Sequence, residues 1–343
     1  MSYMIDIAES GFLPDSLIRQ GIRRLNKNRL SGEFCFSVEE QGERFHALID
    51  DLRRSPIAID VEMANEQHYE LPASFFTQVL GKHLKYSSGY WDSGATNLDE
   101  AEEDMLRLYA QRAGLADGQK ILDLGCGWGS FSLWAAAKYP QAQFTAVSNS
   151  RFQRDHILQV ARERNISNIS VLTEDINNLE LDLKYDRIIS IEMFEHMRNY
   201  SALLGRIEQW LMPEGKLFLH IFCHREISYV FDSEGESNWM GRYFFTSGLM
   251  PALDTLLYFQ EDLVIEQRWK MSGVNYARTA KAWLKNLDMQ RSEVLVTLSK
   301  FYGADEAKLW LQRWRMFFMA CEELFGFQDG SEWMVGHYLF TKR

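Results

Sequence analysis

The chain has 343 residues and a formal net charge of −11, and 46% of its residues are hydrophobic and 13% aromatic. This length allows one large domain with an appendage or two domains, and the apolar content supplies an ample core. The acidic balance argues against nucleic acid and anionic membrane surfaces as main partners. It suits a small neutral or cationic substrate better.

The sequence shows no targeting or membrane-spanning pattern. No apolar run approaches the length that spans a bilayer, and no secretory signal opens the chain. The four cysteines are scattered without the spacing of a disulfide framework or a metal site. We therefore expect a cytoplasmic protein without stable membrane association. The oligomeric state stays open, with a homodimer as one option.

The first sixty or so residues predict a small helical appendage. Pro14 and Asp15 suit a helix start, and a helix with an apolar face and many basic residues follows. Such a helix can lie on a membrane, but a docking helix with a solvated basic face is more frequent, and we favour it. Its predicted apolar face consists of Leu17, Ile18, Gly21, Ile22 and Leu25. We place the appendage at residues 1–65 and a larger domain at 66–343.

From about residue 120 the sequence alternates between short apolar runs and helical patterns. This alternation predicts an α/β fold with a doubly wound, mostly parallel sheet. The strands are expected near residues 120–124, 143–148, 169–173, 186–191 and 215–222. The rhythm stops beyond about Cys223. An aromatic-rich part at about 223–330 then predicts helical lid insertions, with helices near 279–289 and 305–325.

A turn of the form G-x-G-x-G occupies residues 125–129, directly after the first strand and its acid, Asp123. A ligand can approach the backbone of such a turn closely because almost no side chains stand in the way. A dinucleotide fingerprint needs glycine where Ser130 stands and an acid about 20 residues on, but the next strand ends at Asn149. The turn therefore resembles the S-adenosylmethionine (AdoMet) site of class I methyltransferases, whose sheet is Rossmann-like.

The carboxyl ends of the predicted strands bring polar residues to one rim. In doubly wound sheets the ligand lies outside these ends. The rim collects residues 123–129, 148–149, 175–176 and 192–196. The last of these segments offers two carboxylates and an imidazole, although it could also be only a strand end that caps the next helix. Its Glu-His end lacks the first histidine of an H-x-x-E-H zinc pattern, so we expect no metal.

Short motifs recur along the chain in a combination more specific than the glycine turn alone. They lie at residues 68–72, 86–90, 122–129, 148–153, 185–188, 191–197, 222–224, 276–279, 322–327 and 332–335. In this combination the chain resembles the AdoMet-dependent methyltransferases that include the cyclopropane fatty acid synthases and the plant benzylisoquinoline N-methyltransferases. The last two motifs are particularly similar to the coclaurine N-methyltransferase subgroup. The resemblance runs from about residue 10 to the terminus.

The resemblance implies AdoMet as the cofactor and assigns residues to each part of it. Residues beside the glycine turn should flank the methionine end, those after the second strand should hold the ribose, and those after the third should meet the adenine edge. The implied cofactor-binding residues are Tyr86, Ser87, Asp123, Gly125, Gly127, Ser148, Asn149, Gln153, Asp175, Ile176 and Ile191. Asn149 replaces the acid of methyltransferases at large, as is usual in this branch.

The expected acceptor is a small cyclic or aryl-alkyl amine. An amine must lose its proton before it can attack a methyl group, so its site needs carboxylates, a base and aromatic rings that attract the ammonium. The predicted catalytic residues are Glu70, Glu192, Glu195 and His196. The predicted substrate-binding residues are Tyr69, Ser88, Tyr90, His220 and Tyr276. We expect His220 to be a pocket residue and His224 to lie at the surface or behind the pocket.

One position departs from the cyclopropane synthases. Those enzymes carry a cysteine that lines a bicarbonate pocket where this chain has Ser88. Glu195, His220 and Tyr276 match other members of that pocket, so its lining is altered but partly kept. Cyclopropane-synthase-like modification of unsaturated acyl lipids therefore stays an alternative, as does methylation of a thiol. A non-catalytic AdoMet-binding protein is a third hypothesis, against which the acid and base groups argue.

Overall fold

A mixed seven-stranded sheet with helices on both faces organises the computed structural model, which describes residues 2–34, 37–59, 71–231 and 238–343. The strand order is β3-β2-β1-β4-β5-β9-β8. The strands are β1 (Lys120–Leu124), β2 (Gln143–Ser148), β3 (Ile169–Thr173), β4 (Tyr185–Ile191), β5 (Leu211–His224), β8 (Leu263–Met271) and β9 (Trp333–Lys342). Strands β1 to β5 are parallel, which confirms the predicted doubly wound α/β fold.

Helices precede, connect and follow the strands. Ahead of the sheet lie α1 (Ser2–Glu9), α2 (Asp15–Glu33), α3 (Val38–Arg54), α4 (Ala73–Val79) and α5 (Leu98–Ala113). Between the parallel strands lie α6 (Ser130–Lys138), α7 (Arg151–Glu163) and α8 (Tyr200–Trp210). After β5 come the short pair β6 (Tyr229–Val230) and β7 (Leu249–Met250), and the helices α9 (Trp239–Tyr243), α10 (Gly273–Met289), α11 (Arg291–Tyr302) and α12 (Ala307–Phe325).

Two strands of the sheet were not predicted. The segment beyond Cys223 was expected to be helical, but β9 pairs antiparallel with β5 and β8 pairs antiparallel with β9. Strand β9 is buried over most of its length, so it lacks the polar alternation that marks a half-exposed strand. Its place is fixed by long-range pairing with β5 and not by a local pattern.

The appendage docks on the lid helix α12 partly through charge. Arg19 forms ion pairs with Glu322 at 2.7 Å and with Glu323 at 2.9 Å. Of the predicted apolar face only Ile18 is fully buried, whereas Leu17 and Leu25 are 52% and 38% exposed. The docking prediction is thus refined, because part of the basic face, expected to be solvated, contacts α12. The predicted boundary at residue 65 lies outside the described residues.

The core lies on both faces of the sheet. Successive strand residues point to opposite faces, so Ile121 and Phe218 join one cluster while Leu122 and Leu219 join the other. The first cluster is continuous with α5, α10 and α12, and the second with α3 and α8. In the part of the chain that the structure describes, no helix is long and apolar enough to cross a membrane.

Candidate active site

The glycine turn between β1 and α6 forms the floor of a cleft at the carboxyl edge of the sheet. Gly125 and Gly127 have φ angles of 82° and 52°, a region that side chains other than glycine rarely adopt. A Cβ atom on Gly125 would lie 2.8 Å from Cγ of Met193. A Cβ atom on Gly127 would meet nothing within 4 Å, and this residue lines the cleft. A side chain at Gly127 would therefore project into the space of a ligand.

The cleft lies where the strand order reverses, between β1 and β4. Most of the predicted cofactor-binding residues line it, namely Tyr86, Ser87, Asp123, Gly125, Gly127, Ser148, Asn149, Gln153, Ile176 and Ile191. Asp175, the remaining predicted residue, is not part of this lining. Its Oδ1 accepts the backbone N–H of Asn177 at 2.8 Å, so the carboxylate caps its own turn. Glu174 lines the cleft in its stead.

Buried polar atoms in the cleft wall fit a cofactor with several oxygen atoms. Ser148 Oγ donates to Gln153 Oε1 at 2.6 Å, which leaves Gln153 Nε2 without a hydrogen-bond partner in the described protein. The buried Ser130 Oγ also has no partner there. Buried polar groups in proteins are nearly always hydrogen-bonded, so these atoms indicate a ligand that completes them. The ribose hydroxyls and carboxylate of AdoMet are suitable partners.

A second cavity of about 510 Å³ adjoins the cleft. We call it the acceptor chamber, and its size lies within the range of small-molecule sites. Helix α2 of the appendage, the lid around Trp239 and helix α12 form its walls. Aromatic rings dominate the lining, namely Tyr86, Phe222, Tyr229, Phe231, Trp239, Phe245, Tyr276, Trp283, Phe317 and Phe325.

Among the residues that the structure describes, three side chains line both the cleft and the acceptor chamber: Tyr86, Glu192 and His196. They stand at the junction where a methyl group would pass from a donor in the cleft to an acceptor in the chamber. Two of them, Glu192 and His196, were predicted as catalytic residues. The junction therefore brings together an acid, an imidazole and an aromatic ring where the two cavities meet.

Several hydrogen bonds hold the Glu192 carboxylate at the junction. The residue directly follows β4 and has a φ angle of 49°, a strained conformation that occurs mainly at functional sites. Its Oε1 is 2.9 Å from His220 Nε2 and accepts the N–H of Ser88 at 3.2 Å, and its Oε2 accepts the hydroxyl of Tyr276 at 2.7 Å. Burial raises the pKa of Glu192 to about 7, although Lys85 and Tyr276 oppose this shift.

Lys85 is a buried ammonium group that the sequence analysis missed. Its Nζ donates to the carbonyl oxygen of Ser88 at 2.8 Å and to Ser87 Oγ, and the residue lines the cleft. Burial lowers its pKa to about 8, and the carboxylate of Glu192 opposes the shift. The only sequence signal is its position directly before the motif at residues 86–90.

His196 presents a neutral imidazole to the junction. It lies in a short 3-10 helix, Phe194–His196, that follows β4, and its ring centroid is 4.6 Å from that of Phe245. Burial lowers its pKa to about 4, with Arg198 lowering it further and Glu192 opposing the shift. At neutral pH the ring is therefore uncharged and can accept a proton or a hydrogen bond.

Glu195, the other predicted acid of this segment, is buried and lines neither the cleft nor the acceptor chamber. Its Oε1 accepts the backbone N–H of Phe222 at 2.6 Å, and its Oε2 has no partner among the described residues. Burial and the neighbouring carboxylate of Glu192 raise its pKa well above the usual value. Of the two acids in this segment, Glu192 is the one that reaches the acceptor chamber.

The predicted substrate-binding residues do not all line the acceptor chamber. Tyr276 lines the chamber, whereas Ser88 and His220 are buried behind Glu192 and contact it. Tyr90 lines neither cavity, and its backbone N–H donates to the carbonyl oxygen of Ala101 at 2.8 Å. The predicted residues Tyr69 and Glu70 lie outside the described part of the chain.

Contacts between distant segments explain why the separate motifs meet. Thr279 Oγ1 accepts the N–H of Gly89 at 3.0 Å and the indole N–H of Trp91 at 2.9 Å, which ties the loop at residues 86–91 to α10. Tyr276 stacks on Phe325 with ring centroids 4.2 Å apart. The loop that carries Tyr86 is thereby held between the sheet and the lid.

His224 has a structural place and is not a surface residue. It is fully buried, and its Nε2 is 3.2 Å from Glu332 Oε2. Its Nδ1 accepts the backbone N–H groups of Glu226 and Ile227, each at 3.0 Å. The imidazole therefore fixes the chain where β5 ends. It lines neither the cleft nor the acceptor chamber.

A cleft for a cofactor lies where the strand order reverses, and an aromatic chamber meets it beside an acid and an imidazole. Together these two cavities indicate a class of enzyme. The chain is an AdoMet-dependent methyltransferase. The family model of mycolic acid cyclopropane synthetase matches residues 59–332, so the chain belongs to that family.

Individual relatives agree with this family. The chain is similar to the (S)-coclaurine N-methyltransferase of Thalictrum flavum subsp. glaucum, with 38% identity over 98% of this chain and 94% of that protein. It is 26% identical to the cyclopropane-fatty-acyl-phospholipid synthase of Escherichia coli K12 over 80% of this chain and 67% of that one. A crystal structure of coclaurine N-methyltransferase bound to N-methylheliamine and SAH matches with a TM-score of 0.96, 38% identity and 99% of both chains covered.

Replacement of Gly127 by valine is expected to weaken AdoMet binding by about 100-fold or more, because the side chain fills the cleft and adds left-handed strain of about 1–2 kcal/mol. Isothermal titration calorimetry with AdoMet and with NAD measures the effect. Gly118→Val is a matched control, because Gly118 also has a positive φ angle, 84°, with open surroundings, but does not line the cleft. Unchanged AdoMet affinity in Gly127→Val, or micromolar NAD binding by the wild type, would contradict the assignment.

Proposed function

We propose that this enzyme transfers the methyl group of AdoMet to the nitrogen atom of a small cyclic or aryl-alkyl amine. The proposal rests mainly on the position of Glu192. This carboxylate lines the aromatic chamber at its junction with the cofactor cleft. Carboxylates and aromatic faces both attract an ammonium ion. The names of the relatives described above, which are N-methyltransferases at the higher identities, support the same acceptor class.

The main chemical difficulty for such an acceptor is its proton. An alkylamine resembling lysine has a pKa near ~10.4, so only about one molecule in a few thousand is unprotonated at pH 7. Restoring the lone pair costs roughly 4–5 kcal/mol at that pH. A general base at the junction gives this proton an acceptor within the site, so that the nitrogen can be deprotonated where it reacts. This is the role we assign to the acid and the imidazole.

The different pKa values of Glu192 and His196 suggest different roles for these two side chains. Glu192, with a pKa of about 7, is close to ideal for accepting a proton at neutral pH and attracts the ammonium before it does so. His196, with a pKa of about 4, is a weaker base that orients the acceptor nitrogen by accepting its hydrogen bond. Glu195 supports the turn that positions both. Glu70 and Tyr69 remain proposed members of the same acceptor site.

When bound, the cofactor supplies an electrophilic methyl group on a sulfonium, and the reaction is an in-line displacement that depends on alignment. We assign Tyr86, Ser87, Asp123, Gly125 and Gly127 to its methionine end. We assign Ser148, Asn149, Gln153, Ile176 and Ile191 to its ribose and adenine, with Glu174 in the place first given to Asp175. The aromatic chamber excludes water from the transferred group.

The appendage and lid complete the acceptor chamber in this proposal. Leu25, Asn26 and Arg29 of α2 line it, and the Arg29 guanidinium lies 5.0 Å from the ring centroid of Tyr229 in the lid. We therefore assign residues 1–65 and about 223–330 to acceptor recognition. The formal net charge of −11 argues against nucleic-acid partners, and the four scattered cysteines favour a cytoplasmic enzyme.

The second candidate is cyclopropane-synthase-like chemistry on unsaturated acyl lipids, which family membership favours. That reaction needs bicarbonate as a base, whereas an amine is deprotonated by the residues of the junction. We expect amine methylation to proceed at the same rate in bicarbonate-depleted buffer as in bicarbonate. Mass spectrometry of parallel reactions with amines, thiols and monounsaturated phospholipid vesicles provides the measurement. Phospholipid conversion that stops when bicarbonate is removed, without amine turnover, would favour the second candidate.

A further inference from the structure

A row of buried side chains runs from the active-site carboxylate through the sheet. His220 Nε2 is 2.9 Å from Glu192 Oε1, and His220 Nδ1 is 2.9 Å from His337 Nε2. His337 Nδ1 is 2.5 Å from Nη1 of Arg112. The two histidines face each other across β5 and β9 and are fully buried. The row therefore links Glu192 to a guanidinium group that lines neither cavity.

The chemistry of the row allows one arrangement of protons. Arginine only donates hydrogen bonds, so the Nδ1 atom of His337 must offer its lone pair to Arg112. A neutral imidazole carries one proton, which places that of His337 on Nε2, where it points at His220. His220 Nδ1 must then accept, and its own proton must lie on Nε2, where it points at Glu192. The donor Arg112 thus fixes the direction of every bond in the row.

The surroundings keep both histidines neutral, as this argument requires. Burial lowers the pKa of each far below its usual value, and the positive charges of Lys85 and Arg112 lower it further. The hydroxyl of Tyr109 lies 2.8 Å from His220 Nδ1 and can donate to the same lone pair. Among the described residues, other titratable groups that interact with Glu192 include Glu195, His196, Tyr276 and Cys321.

We propose that Arg112 and His337 are positioning residues, which lock His220 in the Nε2–H tautomer and so keep a third hydrogen-bond donor on the Glu192 carboxylate. The other two donors are the N–H of Ser88 and the hydroxyl of Tyr276. In the opposite tautomer, a lone pair of His220 would face the carboxylate oxygen at 2.9 Å. Glu192 would then have to retain its proton in order to donate to His220. We call this constraint on the His220 tautomer the lock. It favours the ionised form of Glu192, which the proposed function requires.

The tautomers are measured directly by nitrogen NMR on the full-length protein labelled with 15N-histidine. In the wild type we expect His220 and His337 to be neutral Nε2–H forms from about pH 6 to 9. Arg112→Met should give His220 a mixture of both tautomers. Arg112→Lys keeps a cation that only donates, so it should restore the wild-type pattern. Arg187→Met is the matched control, because Arg187 is also partly buried but donates to the carbonyl of Ala113 and touches neither histidine.

Turnover provides a second readout, which rests on the proposed function. In Arg112→Met we expect kcat to fall by about 10- to 100-fold and the acid limb of the pH profile to move up by about one unit, because the carboxylate loses a donor. The AdoMet dissociation constant should not change, since Arg112 does not line the cleft. Arg112→Lys should recover most of the loss. A purely destabilising role would lower the melting temperature without moving the pH profile.

The NMR and turnover measurements test the lock and the proposed function independently of each other. A wild-type spectrum with His220 protonated on Nδ1, or on both nitrogens, overturns the lock even if no variant folds. A pure Nε2–H form of His220 in folded Arg112→Met overturns it as well. Absence of amine turnover in the wild type would count against the proposed function, while the tautomer pattern and its response to Arg112→Met would still decide the lock.

Discussion

Replacement of His196 by alanine is expected to lower kcat for amine methylation by about 10²–10⁴ while the AdoMet dissociation constant stays within about a factor of three. The reason is position, because His196 lines both cavities at their junction and its ring packs on Phe245 of the lid. Its imidazole is neutral over the pH range of the assays, since burial lowers its pKa to about 4. Stopped reactions for kcat and calorimetry for the cofactor measure the two quantities.

Higher pH should partly rescue the His196→Ala variant, because a larger share of the amine is then unprotonated before it binds. His156→Ala is the matched control. His156 is a partly buried histidine that packs against Trp128, but it lines neither the cleft nor the acceptor chamber. Its loss should leave kcat near the wild-type value. Parallel loss of AdoMet binding and turnover in His196→Ala would instead assign this residue to the structure of the turn.

The parallel half of the fold could be predicted because each strand carries its own signal. Strands β1 to β4 are short apolar runs bounded by turns, and the observed bounds match the predicted ones closely. Strands β8 and β9 have no comparable signal. Strand β9 is buried on both faces and interrupted by Gly336, and it becomes a strand by pairing with β5, more than a hundred residues earlier. Such pairing is decided by tertiary contacts that a local pattern does not contain.

The rim of the site could be predicted because a parallel sheet brings the carboxyl ends of its strands to one edge, regardless of how the individual side chains are oriented. The orientation of individual side chains could not. Glu192 and Glu195 are three residues apart, yet the positive φ angle of Glu192 sends the first into the cavities while the second turns to the N–H of Phe222. Lys85 and Arg112 could not be predicted because the groups in the site that they influence, Glu192 and His337, lie more than a hundred residues away in sequence.

Replacement of Glu192 by glutamine is expected to lower kcat/KM for an alkylamine by about 10²–10⁴ at neutral pH. In the wild type, kcat/KM should rise with pH through about 7, because the raised pKa keeps the carboxylate protonated below that value and ionised above it. Only the ionised form attracts the ammonium and accepts its proton. The glutamine variant lacks this ionisation, so its pH dependence should follow the pKa of the amine alone and rise more steeply towards alkaline pH.

A matched carboxylate and a matched acceptor make this test specific. Glu102 is also a buried carboxylate, with a pKa raised by burial to about 7, but it accepts the N–H groups of Gly81 and His83 and lines neither cavity. Glu102→Gln should therefore lower the melting temperature and leave the ionisation near pH 7 in the kcat/KM profile. An aromatic amine that is already neutral at pH 7 has no proton to lose before attack, so Glu192→Gln should impair its methylation much less. Equal losses for both acceptors would show that Glu192 aligns the acceptor without taking its proton.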